Sequence, residues 1–71
     1  MMHDSEAALG SIRKEYENAV SRKRELMERL RLIEKTDPTN LNQIWMLRDQ
    51  IAYWEGKSEG LRFALDAYSG S

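Results

Sequence analysis

Two series of residues step through this chain at alternating intervals of three and four. The first is Leu9, Ile12, Tyr16, Ala19, Lys23, Leu26, Leu30 and Ile33. The second is Ile44, Leu47, Ile51, Trp54, Ser58, Leu61, Leu65 and Tyr68. Between them lies Thr36-Asp37-Pro38-Thr39-Asn40, a segment that cannot continue a helix. Alternating steps of three and four keep one apolar stripe facing a partner helix. Folding at the break pairs Ile33 with Ile44, Leu30 with Leu47, Leu26 with Ile51, and so on to Leu9 with Tyr68. The pattern predicts an all-α fold, an antiparallel two-helix hairpin with coiled-coil-like packing.

A chain of 71 residues forms one small domain, spanning 1–71. Two helices meeting along one seam bury little, and domains of this size usually add a disulfide, a metal or a partner chain. The sequence has no cysteine, and its single histidine is His3. Association is the remaining route, so the expected form is a homodimer or higher oligomer. Two hairpins closing into a four-helix bundle is the simplest such form.

Lys and Arg total 11 against 12 Asp and Glu, a net charge of -1. That balance argues against a dedicated nucleic-acid or membrane-surface protein. The longest apolar runs, such as Ile44-Trp45-Met46-Leu47, are far short of the ~20 residues a membrane-spanning helix needs. Met-Met-His-Asp-Ser-Glu lacks the basic and apolar regions of a signal peptide. A cytoplasmic protein is expected.

The first helix is expected over about 5–35, with Asp4 or Ser5 as its cap and residues 1–4 frayed. The turn is expected at 36–40 and the second helix at about 40–68. Two caps compete for the second helix. Asp37 can cap with Pro38 at the first helical position, or Asn40 can cap with Gln43 three residues later completing a capping box.

Two layers of the seam stand out. Lys23 falls opposite Trp54, where its stem can lie on the indole and its ammonium can reach solvent or the ring face. A polar residue at such a position also restricts register, so Lys23 and Trp54 are the candidate register-setting pair. Ala19 opposite Ser58 lets the helices approach closely, or leaves room for a side chain from a third helix.

The second helix carries apolar residues away from its seam as well. Met46, Tyr53, Gly56, Gly60, Phe63 and Ala67 recur at helical spacing, with Trp45 and Ala52 alongside. Glycine inside a helix costs about 1 kcal/mol relative to alanine. Two glycines one turn apart therefore point to close approach by another backbone. Trp45, Met46, Tyr53, Gly56, Gly60 and Phe63 form the candidate interface, either with a second copy or with another protein. The seam flanks agree with a further contact: Arg13 falls near Arg62 and Arg22 near Lys57, while Val20 and Met27 have no apolar neighbour of matching size.

No enzymatic constellation is present. His3, Asp4 and Ser5 are of the types used in a nucleophilic triad, but they are sequence neighbours without a scaffold or oxyanion hole. There is no phosphate loop, no zinc spacing and no Glu-x-x-His pair of a di-metal bundle, so no cofactor is expected. Arg22, Arg24, Arg29 and Arg31 give the second half of the first helix a basic bias, interrupted by Glu25 and Glu28. A phosphate contact there is the minor alternative. A helical hairpin that dimerises into four helices resembles, in architecture, the plasmid Rop RNA-binding proteins. No motif is shared, so the resemblance implies a possible plan of assembly and no residue role. The expected function is a non-enzymatic protein–protein interaction module, such as a small regulator, adaptor or inhibitor. A Rop-like RNA- or DNA-binding bundle and a purely structural subunit are the alternatives.

Overall fold

The computed structural model describes residues 2–69, with side chains over 6–68. It contains two helices, α1 (Met2–Thr36) and α2 (Leu41–Ser69), packed against each other as a hairpin. The hairpin is a rod of 54 × 15 × 13 Å. Its long axis is close to the ~52 Å that 35 residues of α-helix span at ~1.5 Å each.

α1 is rich in Glu, Lys, Arg, Leu and Ala, which lose little side-chain freedom in a helix. It already runs through Asp4 and Ser5, so neither stands at its N-cap; their side chains lie outside the described ones. Residues 2–4, expected outside the first helix, are part of α1, and Met1 lies outside the described residues.

The turn resolves the competition between caps in favour of Asn40. At the end of α1 the Asp37 amide donates to the Ile33 carbonyl at 2.7 Å, and the Thr36 hydroxyl donates to the Leu32 carbonyl at 2.9 Å. Pro38 has no amide to donate and disfavours helical geometry at Asp37, so α1 stops there. The Asn40 amide then donates to the Asp37 carbonyl at 3.1 Å, closing a four-residue turn with Pro38 second, where its fixed φ fits. The Thr39 hydroxyl braces it through Asp37 Oδ1 at 3.3 Å. Asn40 Oδ1 accepts from the Gln43 amide at 3.4 Å, which is the N-cap contact of α2. No described residue needs a positive φ to make this reversal.

Burial follows the three-four series closely. Ala19, Leu26, Ile44 and Leu47 form the buried apolar core, and Ser58 is buried beside them. The other seam residues are half-buried, except Tyr68, which is exposed. Ala19 and Ser58 are both buried, so this small layer is filled by the two helices themselves. The Ser58 hydroxyl donates to the Glu55 carbonyl at 2.9 Å, so its polar atom is satisfied within α2. Across the seam, Lys23 Nζ lies 3.7 Å from Glu55 Oε1, and Arg48 Nη2 lies 3.8 Å from Glu34 Oε2. Both pairs are largely solvated, and such pairs contribute ~0–1 kcal/mol.

Asn40→Ala removes a cap and should cost about 1 kcal/mol. In a chain of this size that lowers the melting midpoint by ~4–8 °C, read by circular dichroism. Leu47→Ala removes the most fully buried large side chain of the seam. A loss of ~2–5 kcal/mol is expected, enough to abolish the cooperative transition of so small a core.

Candidate functional site

α2 has two different sides. One is the seam. The other carries Met46, Asp49, Tyr53, Gly56, Gly60, Phe63 and Ala67, all exposed. At 3.6 residues per turn this stripe lies about 150° around α2 from the seam centre. Phe63 is 76% exposed, Tyr53 61%, Trp45 60% and Met46 49%. Single exposed apolar residues are ordinary on protein surfaces, whereas a helix-long set with three aromatics is not.

The glycines give the clearest local signal. A Cβ built at Gly56 or at Gly60 meets nothing within 4 Å. Neither glycine has a positive φ. The hairpin therefore uses neither the small size nor the conformational freedom of these residues, although each weakens α2 by about 1 kcal/mol relative to alanine.

Tyr53 leads into a small aromatic cluster. Its ring meets the half-buried Trp54 edge-on, with centroids 5.1 Å apart and planes at 77°. Lys57 Nζ sits 5.1 Å from the Trp54 ring centroid and 6.0 Å from that of Tyr53. The cation over Trp54 is thus Lys57 and not Lys23, which corrects the expected cross-seam contact. The reason is local: Lys57 is one turn from Trp54 on the same helix, while Lys23 finds the Glu55 carboxylate beside it. The same cluster accounts for the like-charged flank at Arg22 and Lys57. Arg22 turns along α1 to Glu25 at 3.3 Å, and Lys57 turns to the rings. The i, i+3 spacing of Lys57 to Trp54 is the sequence signal for this contact.

The other candidates lie elsewhere. Arg22, Arg24, Arg29 and Arg31 are all exposed along α1. Arg24 and Arg31 line an open groove of about 360 Å³ together with Val20, Lys23, Met27 and Glu28. Val20 is half-buried and Met27 exposed, as expected of apolar residues on a flank without an apolar counterpart. Leu32 and Leu41 are also exposed, near the turn, and the periodicity of the seam gave no reason to single them out. The His3, Asp4 and Ser5 side chains lie outside the described ones. Among the described residues no group of His, Asp and Glu is placed to hold a metal ion, and no helix is long and apolar enough to cross a membrane.

Comparison of the chain with protein-family models, with curated proteins and with solved structures finds no match.

Lys23→Leu replaces a half-buried lysine side chain in the seam with an apolar one. The melting temperature should rise, and more than one assembly state should populate, because the polar restriction on register is gone. Thermal circular dichroism and light scattering read the two effects. A single unchanged assembly would remove Lys23 as a register-setting residue.

Proposed function

We propose that this chain is a non-enzymatic protein–protein interaction module that works as a homo-oligomer. In this reading the hairpin is an antiparallel coiled coil, and two hairpins join through α2 into a four-helix assembly. The three-four burial along both helices supports the coiled coil. The observation that carries the interaction role is the exposed outer stripe of α2, with Trp45, Met46, Tyr53 and Phe63 around two glycines that nothing in the hairpin requires. Aromatic and Met side chains are common energetic centres of interfaces, because each removes a large apolar area from water at small entropic cost. A small regulator, adaptor or inhibitor is the corresponding role.

Nucleic-acid binding is the weaker reading. The exposed arginines of α1 alternate with carboxylates, Arg22 is already paired with Glu25, and Glu28 lines the same groove as Arg24 and Arg31. The local field for phosphate is correspondingly reduced.

Light scattering across a hundredfold concentration range tests the proposal. A constant mass of twice or four times the 8.3 kDa chain is expected. A folded monomer throughout would defeat the homo-oligomer and leave the α2 face to a different protein. Gly60→Leu sharpens the test. A free α2 face should tolerate the larger residue and gain helicity, since there is open space around Gly60. A face buried against a partner should lose its assembly.

A further inference from the structure

We infer that the outer stripe of α2 binds a second copy of this chain with the two α2 helices antiparallel. The two-fold axis crosses the outer stripe at the height of Ser58, Gly56 faces Gly60 of the other copy, and Tyr53 faces its Phe63. This rests on the homo-oligomer reading above and specifies its contact.

Three observations lead to it. The first is surface area. The chain exposes 5753 Å², whereas a compact monomer of 8.3 kDa exposes roughly 4,600 Å². The rod thus carries about 1,150 Å² more surface than a compact chain of its mass, and one partner of a stable interface covers ~800 Å². Tyr53 and Phe63, 61% and 76% exposed, lie inside the proposed contact. At ~150–250 Å² per aromatic side chain they supply a share of its area.

The second is the order of residue types. From Ser58 outward in both directions the stripe reads glycine, then aromatic: Gly56 and Tyr53 on one side, Gly60 and Phe63 on the other. An antiparallel two-fold contact sets each position against its mirror position. Glycine then meets glycine at the crossing point, and an aromatic pair closes each side. A parallel pairing would set Asp49 against Asp49 of the other copy, two like charges within the stripe. In the antiparallel register Asp49 faces Ala67 instead.

The third is the empty space at the glycines. Apart from the adjoining backbone of α2 itself, nothing of the same chain lies within 4 Å of a Cβ at either one. Close approach of a second backbone gives that space an occupant, and flanking rings can then pack against the partner helix.

The geometry also sets the shape of the assembly. The outer stripe lies nearly opposite the seam, so α2 has neighbours on two opposite sides. The four helices form a layer in the order α1, α2, α2, α1, with the α2 pair inside. This opens the closed square of an ordinary four-helix bundle into a slab.

The chain has no cysteine, so introduced thiols report alone. Asp49→Cys and Ala67→Cys chains are purified separately, mixed, allowed to exchange, and treated with a short bismaleimide. In the proposed contact Cys at 49 lies beside Cys at 67 of the other chain. Two copies of position 49 lie about 27 Å apart along the axis, at ~1.5 Å per residue. The mixed product should exceed either self-product by on the order of tenfold. A mixed product no more abundant than the self-products, in a sample that still scatters as a dimer, overturns this contact and leaves the homo-oligomer standing. A monomer mass in the unmodified chain overturns both. Gly60→Leu should weaken association on the order of 100-fold while the helical signal is retained. Unchanged association in that variant would place the contact elsewhere.

Discussion

A helix pair can hide only the stripe along which the two helices meet, and in this molecule that stripe is narrow. Ala19, Leu26, Ile44 and Leu47 are its buried apolar core, and the remaining seam residues keep part of their surface in water. The hydrophobic term scales with area removed from solvent, while the entropic cost of ordering scales with the number of residues ordered. A rod of two helices has an unfavourable ratio of the two. The turn, the cap at Asn40 and the solvated ion pairs adjust this balance by small amounts. The extra apolar surface on α2 is the one large reserve that the hairpin leaves unused.

The two helices play unequal parts. α1 has one apolar stripe, with charged residues over most of the rest of its surface, the usual arrangement for a helix with one side in water. α2 has apolar residues on both sides, with Arg48, Glu55 and Arg62 along one flank of its seam. The buried layer of Ala19 and Ser58 falls at the same height on α2 as Gly56 and Gly60. Small residues therefore occupy both sides of α2 at one level. If helices approach on both sides there, the thinnest part of the assembly is its middle.

Much of this was readable from residue spacing. The three-four series identified the seam residues, since the burial of Leu26, Ile44 and Leu47 depends only on helical period and on a single break at Pro38. The outer stripe was readable for the same reason. Other features depend on local competition that spacing does not rank. Asp37 and Asn40 are both good caps, and the hydrogen bond from the Gln43 amide selects Asn40. Lys23 and Lys57 can both reach Trp54, and the shorter same-helix path prevails while Glu55 engages Lys23. Asp4 and Ser5 are of the types that frequently cap helices, yet α1 runs past them to Met2.

The turn between the helices has a kinetic meaning. It reverses the chain in four residues, Asp37 to Asn40, with a proline, a bracing hydroxyl and no left-handed residue among them. Ile33 and Ile44 are consequently brought together at small loop-closure cost, and each further layer closes a loop only one step longer than the last. Contacts so local in sequence favour rapid folding. The hairpin should zip from the turn outward, with Leu30 and Leu47 next and the chain ends last. Sequence changes near Pro38 then act mainly on the rate of folding, and those near Leu9 and Leu65 mainly on the rate of opening.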